Sequence, residues 1–290
     1  MEDSVKIVEC PRDAWQGLPV EIPTEKKATY LQDLIDAGFT HIDAVSFVSP
    51  AAVPQMADSE CVLELLNPPQ GVEIIGIVVN RRGAERAIRT GSVSTLGFPY
   101  SVSAEFLRRN QHQTPQESLY ELGTVSSLAE DAGLGMVAYL SMAFGDPYGG
   151  AWNIGAVVDA CAMLIDAGVR QISLADTVGL ATPAQIAETV AAVLEAHRGI
   201  ELGVHLHARR GEAAARLRAA YDAGCRRFDA AIGGLGGCPF AQDALVGNLP
   251  TEILIAALTE RGAAIPKLGP LAALLSASAE IGASCGTAAP

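Results

Sequence analysis

The sequence predicts an α/β fold, namely a TIM (β/α)8 barrel with an extra C-terminal helix, on three observations. First, strand-like and helix-like segments alternate eight times. Second, the tripeptide Asp-Ala-Gly ends four helical segments, and a short apolar run follows each copy; the copies lie at 36–38, 131–133, 166–168 and 222–224. Third, the links after the strands are long and those after the helices are short. Glycine just past a helix end adopts the left-handed conformation, so the repeat predicts a tight helix-to-strand turn.

The elements can be placed in order along the chain. The predicted strands are 5–9, 41–46, 72–79, 93–98, 134–141, 170–174, 201–206 and 226–231. The predicted helices are 24–37, 58–66, 81–89, 115–132, 153–167, 182–198, 211–223 and 252–262, followed by a surplus helix at 268–284. No linker rich in Gly, Ser or Pro interrupts the series. We therefore expect a single TIM-barrel catalytic domain over 1–290, with the barrel over about 5–262 and a helical tail over about 263–290.

The long links identify one end of the barrel as the functional end. They lie at 47–57, 99–114, 142–152 and 232–251. In a closed (β/α)8 barrel the loops after the strands form the active face. A doubly wound open sheet is the alternative fold, and it is weaker because no glycine fingerprint follows the first strand.

Composition restricts the possible partners and the compartment. The chain has 290 residues, 49% hydrophobic, and a formal net charge of −13. This acidity argues against nucleic acid and against a membrane surface as partners. No apolar run reaches the ~18 residues of a membrane helix, and MEDSVKIVE lacks the features of a signal peptide. The six cysteines form no CxxC pair and suggest reduced thiols in a cytoplasmic protein.

Two histidines and an aspartate are predicted to meet at the barrel mouth. His205 and His207 alternate on the seventh strand, so both side chains point the same way. Arg12 and Asp13 follow the first strand, which in a closed barrel lies close to the seventh. Together Asp13, His205 and His207 form a plausible divalent-metal site. The alternatives are barrel-lining histidines bonded to neighbours and a surface Arg12–Asp13 ion pair.

The loop after the eighth strand is the other unusual segment. It begins Gly-Gly-Leu-Gly-Gly-Cys-Pro-Phe at 233–240 and places Cys238 among flexible glycines. Such a loop can close over substrate, although an incidental thiol on a glycine loop is the alternative. Asp43 and Asp176 also lie at strand ends, where each taken alone is better explained as a carboxylate that caps backbone amides.

Several motifs together resemble one enzyme family. They are VECPRDAWQG at 8–17, SFVSPAAVPQMAD at 46–58, SAEFLRRN at 103–110, ISLADTVGLATP at 172–183, VHLH at 204–207, GGLGGCPFAQ at 233–242 and GNLPTE at 247–252. From about residue 5 to residue 262, the chain resembles the 3-hydroxy-3-methylglutaryl-CoA lyases, barrel metallolyases related to isopropylmalate synthase. PRD and HxH are shared across that superfamily, whereas SFVSP and GGLGGCP are more specific to the lyases.

The resemblance assigns roles to residues of this chain. The metal ligands implied are Asp13, His205, His207 and Asn248, and the implied ion is Mg²⁺ or Mn²⁺. The catalytic groups implied are Arg12 and the loop thiol of Cys238, with Asp176 an active-site aspartate and Gln16 a match to the glutamine beside the Arg-Asp pair.

The chain departs from the family pattern around the substrate. Asp43 stands where the family has glutamate, and we expect it to position Arg12 or the hydroxyl end of the substrate. Arg209 and Arg210 replace the residues that usually follow the second histidine. At the start of the predicted helix 211–223 they favour an anion-binding role toward CoA phosphates or a substrate carboxylate. The alternative is an ion pair with acids such as Glu212.

The implied reaction is a retro-Claisen cleavage of 3-hydroxy-3-methylglutaryl-CoA, or of a close 3-alkyl analogue, to acetyl-CoA and a keto acid. The base that accepts the hydroxyl proton could be His205, Asp13 or metal-bound water, and the sequence does not choose among them. The alternatives are a Claisen-condensing synthase of the same superfamily, a non-haem iron oxygenase and a catalytically silent barrel that binds acyl-CoA. We also expect a homo-oligomer, either a dimer or a tetramer.

Overall fold

A closed barrel of parallel strands forms the centre of the protein. Within residues 4–236 and 246–286, which the computed structural model describes, eight parallel strands pair in order and the sixth pairs with the seventh to close the ring. They are β1 Lys6–Glu9, β2 His41–Ser46, β3 Glu73–Ile77, β4 Thr95–Ser101, β5 Gly135–Ser141, β6 Gln171–Asp176, β7 Glu201–Ala208 and β8 Arg227–Ala230. A short strand, β9 Gly247–Asn248, runs antiparallel to β7. The predicted TIM barrel is confirmed.

Helices alternate with these strands. They are α1 Pro11–Gln16, α2 Thr24–Asp36, α3 Ser59–Glu64, α4 Arg81–Thr90, α5 Ala104–Gln111, α6 Pro115–Asp131, α7 Ile154–Asp166, α8 Pro183–Ala196, α9 Ala213–Asp222, α10 Thr251–Glu260 and α11 Ala272–Cys285. Each predicted helix is present within a few residues of its predicted bounds. The single domain over 1–290 stays a prediction.

Two helices of the described chain, α1 and α5, lie where loops were predicted. Helix α1 is only six residues long and begins with Pro11, so it shows no apolar period. Helix α5 begins at an N-cap, where the Ser103 hydroxyl accepts a hydrogen bond from the Phe106 N–H. Both helices lie on the functional end of the barrel, where sequence periodicity is weakest.

Local signals fix where many helices begin and end. Thr114 with Glu117 and Thr182 with Gln185 form capping boxes at the starts of α6 and α8. The four Asp-Ala-Gly glycines all have positive φ angles, for example 97° at Gly38. The predicted helix-to-strand turns are therefore confirmed.

The interior of the barrel has an apolar half and a polar half. Side chains of β1, β3 and β5, with Cys10 directly after β1, form the apolar half, namely Val8, Cys10, Ile75, Ile77, Val137 and Tyr139. Side chains of β6, β7 and β8 supply buried polar groups, namely Ser173, His205, His207, Arg227 and Asp229. None of the helices in the described ranges is long and apolar enough to cross a membrane. The polar half leads to the end of the barrel where the strand-to-helix loops meet.

Candidate metal centre and active site

Asp13, His205 and His207 form a buried triad at the C-terminal end of the barrel. One ligand atom from each lies within 4.8 Å of the others. The Oδ2 atom of Asp13 is 3.7 Å from Nε2 of His205 and 3.7 Å from Nε2 of His207. One carboxylate and two imidazoles of this spacing suit a divalent cation. We call Asp13, His205 and His207 the metal triad.

The strand order explains why these distant residues meet. Strand β8 pairs with both β1 and β7, so the ends of β1 and β7 lie near each other. His205 and His207 are two residues apart on β7 and therefore project to the same side. Asp13 lies on α1, which begins directly after β1 and carries the carboxylate over the barrel mouth.

In both histidines Nδ1 faces a hydrogen-bond acceptor outside the triad, and this orients the ring so that Nε2 faces Asp13. His207 Nδ1 lies 3.0 Å from the backbone carbonyl oxygen of Asp176 and donates to it. Nε2 of His207 is buried and has no hydrogen-bond partner among the residues described. His205 Nδ1 lies 3.5 Å from Oδ2 of Asp229. A buried imidazole nitrogen left without a partner, beside a carboxylate, fits a metal ligand.

Asn248 lies next to the metal triad. It pairs with His207 across β9 and β7, and its Nδ2 donates to Oδ2 of Asp13 at 3.0 Å and to the carbonyl oxygen of Leu235 at 3.1 Å. The amide nitrogen therefore faces Asp13. Metal ligation by Asn248 requires the amide to turn so that Oδ1 faces the triad instead.

Arg12 is held beside the triad by a hydrogen-bond network. Its Nε donates to Oδ1 of Asp43 at 3.0 Å, and its Nη2 donates to Oδ2 of the same carboxylate. Its Nη1 donates to Gln16 at 3.0 Å, and Gln16 Nε2 donates in turn to Oδ1 of Asp13 at 2.8 Å. Because Asp43 holds the guanidinium bidentately, Arg12 has a fixed direction at the edge of the site.

The charges in the site oppose the effect of burial. Burial disfavours ionisation of Asp13, but the imidazoles of His205 and His207, each 3.7 Å away, and the guanidinium of Arg12 hold the pKa of its carboxyl well below the ordinary value. Burial disfavours the imidazolium of His205, but Asp13 and Asp229 outweigh it and raise the His205 pKa to about 10. Burial raises the pKa of Asp43, and Arg12 opposes that rise. The triad therefore favours positive charge at its centre.

Asp176 has a capping position on the same end of the barrel. Its carboxylate accepts hydrogen bonds from the backbone N–H groups of Leu180 and Ala181, both at 2.9 Å, and from Arg216 at 3.0 Å. Its own carbonyl oxygen holds His207. Asp176 therefore contacts the metal triad through its backbone, while its carboxylate fixes the loop that follows β6.

Arg209 and Arg210 precede α9, which begins at Ala213. The prediction that these two arginines open the helix is wrong, because residues 210–212 form a turn before α9 begins. Arg210 Nη2 donates to Oε1 of Glu252 at 2.8 Å, and its Nη1 to the carbonyl oxygen of Gly233 at 3.4 Å. The acid expected as its alternative partner, Glu212, pairs with Arg216 instead.

Cys238 lies outside the described residues, but both described ends of its segment contact the site. Gly236 has a φ of 75°, and a Cβ there would clash with the carbonyl oxygen of Ala14. A Cβ at Gly247 would lie 2.6 Å from the carbonyl oxygen of Gly234. Glycine at 236 therefore permits close approach to the backbone of Ala14, the neighbour of Asp13, and glycine at 247 permits close approach of the two described ends to each other.

Sequence reasoning missed two buried acids near the site. Glu9 accepts hydrogen bonds from Ile232 N–H at 2.7 Å and from the Thr251 hydroxyl at 2.5 Å. Asp229 lies behind His205. Both were detectable as acidic residues inside predicted strands, because a charge on a buried strand needs a specific partner.

A cavity of about 310 Å³ opens above the triad. Its walls include the triad and Arg12 on one side, and Val48, Ile77 and Phe106 on the other. A small acyl group with both polar and apolar parts fits such a lining.

Comparisons with known proteins agree on one family. The HMGL-like family model matches residues 5–279. The hydroxymethylglutaryl-CoA lyase of Bacillus subtilis is 36% identical over 245 residues, covering 84% of this chain and 81% of the relative. Its crystal structure aligns with a TM-score of 0.90 at 34% identity, over 100% of this chain and 97% of that one. An HMG-CoA lyase of Acinetobacter baumannii in complex with coenzyme A and 3-methylmalate aligns with a TM-score of 0.88 at 33% identity, over 97% of this chain and 91% of that one.

Proposed function

This chain belongs to the HMGL-like family, and from that premise we propose which of its residues carry out the cleavage of hydroxymethylglutaryl-CoA. The chain is a carbon–carbon lyase of the hydroxymethylglutaryl-CoA lyase type. The observation that supports the residue assignment is the buried triad of Asp13, His205 and His207 at the floor of the cavity. The products expected from this substrate are acetyl-CoA and acetoacetate.

The metal triad, with Asn248, would hold the divalent cation. The mixed nitrogen and oxygen donors suit Mg²⁺ or Mn²⁺. When bound, the cation supplies Lewis-acid polarisation of the tertiary hydroxyl of the substrate. Asp13 and His205, which both line the cavity, are the candidates for the base that receives the hydroxyl proton. His205 could act in this way only while its Nε2 does not hold the cation.

Arg12 is placed to stabilise the negative charge that develops on the substrate during cleavage. As the hydroxyl proton leaves, the tertiary alcohol becomes the ketone of acetoacetate, and the electron pair of the broken C–C bond moves into the thioester enolate. The guanidinium of Arg12 can donate to that enolate oxygen because Asp43 and Gln16 already hold it in place. Preorganisation of this kind avoids reorienting the donor during the reaction.

Cys238 would complete the reaction by protonating the enolate carbon. Gly236 packs against the backbone of Ala14, the neighbour of Asp13. Two further residues can span at most about 7 Å. This supports an approach of the thiol to the cavity, where it would act as a general acid.

The remaining assignments concern substrate binding and assembly. Gln16 would contact substrate from the cavity wall, whereas Asp176 would act as a positioning residue through His207 and its loop. Arg209 and Arg210 would bind CoA phosphates or the free carboxylate, for which Arg210 must leave Glu252. A homo-oligomer and a cytoplasmic location complete the proposal.

A substrate panel tests the function. The enzyme is incubated with 3-hydroxy-3-methylglutaryl-CoA and with longer 3-hydroxy-3-alkylglutaryl-CoA thioesters in Mg²⁺ or Mn²⁺, and keto-acid release is measured. We expect the methyl compound to be cleaved, His207→Ala to be inactive, and His41→Ala, at the opposite end of the barrel, to stay active. Net condensation of acetyl-CoA with a keto acid, without cleavage, would support the synthase instead.

A further inference from the structure

We propose that Asp229 is a positioning residue for His205, which fixes the imidazole so that Nε2 faces the metal triad, and that Ser173 and Arg227 hold Asp229 in place. The proposal rests on the metal centre proposed above and deepens it. It concerns the side of His205 that faces away from Asp13 inside the barrel.

The register of β7 and β8 creates this arrangement. His205 pairs with Asp229, and Gly203 pairs with Arg227, two residues earlier on each strand. Alternate residues of a strand share a side, so His205 and Asp229 project into the barrel in one layer. Asp229 therefore lies on the side of His205 that is remote from Asp13.

Asp229 is itself fixed from both sides. The Ser173 hydroxyl donates to Oδ2 at 2.7 Å, and Arg227 Nη2 lies 3.4 Å from Oδ1. Asp229 and Arg227 are each 1% exposed, so water does not weaken the attraction between their charges. Oδ2 lies 3.5 Å from His205 Nδ1, which is the spacing of an ion pair that needs only a small ring rotation to become a hydrogen bond.

A carboxylate in this position selects one form of the imidazole. An ionised carboxylate only accepts hydrogen bonds, so it favours the proton on Nδ1 of His205. The lone pair then lies on Nε2, the atom 3.7 Å from Asp13 Oδ2. His207 reaches the same state through a neutral acceptor, the Asp176 carbonyl oxygen. The two metal-facing histidines are thus oriented by different acceptors, and only His205 depends on a side chain.

Arg227 lies between two carboxylates, with its Nη2 3.4 Å from Oδ1 of Asp229 and its Nε 3.5 Å from Oε1 of Glu201. All three of its guanidinium nitrogens are buried and lack a well-formed hydrogen bond within the described residues. A Cβ at position 203 would lie 2.9 Å from Arg227 Cγ, so Gly203 leaves the space that the arginine occupies. A buried guanidinium is costly without a counter-charge. Asp229 is the fully buried one of its two counter-charges, since Glu201 is partly exposed. The buried pair of Arg227 and Asp229 explains the glycine two residues before His205.

The test measures metal binding without substrate. Mn²⁺ is titrated into the full-length enzyme, and free Mn²⁺ is followed by electron paramagnetic resonance. Removing a group behind a metal-binding histidine typically weakens metal affinity by about 10- to 100-fold. We expect that loss for Asp229→Asn and a smaller loss for Ser173→Ala. Glu73→Gln, a carboxylate variant at the other end of the barrel, should bind as the wild type does.

A second readout separates positioning from general loosening of the barrel. In the Mg²⁺-loaded enzyme, ¹⁵N NMR should show the His205 proton on Nδ1 in the wild type and in Ser173→Ala, but not in Asp229→Asn. Circular dichroism confirms that each variant is folded. If Asp229→Asn does not fold, Ser173→Ala decides, and wild-type Mn²⁺ affinity in that variant overturns the proposal.

The outcomes distinguish this proposal from the one it rests on. A wild-type enzyme that binds no Mn²⁺ contradicts the metal centre itself. A wild type that binds Mn²⁺, with a folded Asp229→Asn variant that binds it equally and keeps the same histidine tautomer, overturns the role of Asp229 alone.

Discussion

Glu9 and Asp13 are buried carboxylates four residues apart in the sequence, and their surroundings differ sharply. Burial raises the pKa of Glu9 to about 8, although Thr251 and Ile232 donate to it. The nearby imidazoles of His205 and His207 and the guanidinium of Arg12 hold the pKa of Asp13 well below its ordinary value despite the same burial. Burial alone therefore does not set the charge of an acid in this barrel, because the charges that surround it decide.

The two acids serve different parts of the molecule. Glu9 joins Ile232 to Thr251, at the two described ends of the loop 232–251, and we call Glu9, Ile232 and Thr251 the loop base. Its oxygens are both occupied. Asp13 faces histidine nitrogens that are positioned but unoccupied by protein groups. At the loop base, both carboxylate oxygens of Glu9 accept hydrogen bonds from the protein. In the metal triad, by contrast, an imidazole nitrogen is left that can bind a metal ion.

The largest effect is expected at the thiol of Cys238, in the loop whose two described ends the loop base joins. Cys238→Ser should lower kcat by about 10² to 10⁴ because general acid catalysis contributes that much. Mn²⁺ affinity should stay unchanged, since the metal triad is intact. Cys61→Ser, an exposed thiol on α3, is the matched control. Near-native turnover of Cys238→Ser would remove the thiol from the mechanism and leave the loop base purely structural.

A smaller effect is expected at Asp43, which holds Arg12 beside the triad. Asp43→Asn should lower kcat by about 100-fold, the cost of displacing a catalytic group by roughly 1 Å. Asp43→Glu should be milder, because it keeps the charge that pairs with Arg12. Steady-state kinetics and thermal unfolding of both variants measure this. Equal and mild kinetic effects would mean that Asp43 is only a structural cap.

At the loop base, Glu9 should make stability depend on pH. Its folded pKa of about 8 exceeds the ordinary 4.5, so its stabilisation is complete below about pH 4.5 and is lost as the pH rises toward 8. In that window the unfolded chain has released a proton that the folded chain retains. Stability then falls by up to about 1.4 kcal/mol per pH unit from this residue.

Glu9→Gln should remove this slope, because the amide mimics the protonated acid. Urea unfolding of wild type and variant at several pH values between about 5 and 8 measures the difference. Glu280→Gln, an exposed acid on α11, should keep the wild-type slope. The same slope in Glu9→Gln would show that Glu9 is ionised when folded, as Asp13 is.

The smallest effect is expected at Arg210, which contacts Gly233 and Glu252, the neighbours of Ile232 and Thr251 in the loop base. Arg210→Ala should raise KM several-fold and leave kcat nearly unchanged, as expected when ground-state binding of an anion is lost. Loss of its exposed pair with Glu252 should cost under about 1 kcal/mol of stability. Arg218→Ala breaks a similar pair with Glu260 and should leave KM unaltered. Equal KM values in the two variants would show that Arg210 does not bind substrate and only stabilises the structure near the loop base.

The sequence allowed most of the fold to be predicted, because the strands and helices carry strong local signals. The Asp-Ala-Gly turns and the capping residues Thr114 and Thr182 fix element ends within a few residues. Helices α1 and α5 escaped prediction because short helices have no full apolar period. Their positions depend on contacts from other parts of the chain.

The metal triad could be predicted from strand alternation and barrel closure, since both rules are local or topological. Asp229 and Glu9 could not be assigned a role in the same way. Their roles depend on which partner faces them across the barrel, and register between neighbouring strands decides this. The pairing of His205 with Asp229 is a property of the β7–β8 register and is invisible in either strand alone.

The most direct test of the metal triad as the catalytic centre is acetoacetate release from 3-hydroxy-3-methylglutaryl-CoA before and after chelation. The enzyme is treated with a chelator, assayed, and assayed again after Mg²⁺ or Mn²⁺ is added back. We predict that cleavage stops in chelator and returns with added metal, whereas His207→Ala stays inactive in both. Full activity in chelator, or an active His207→Ala variant, would contradict the account.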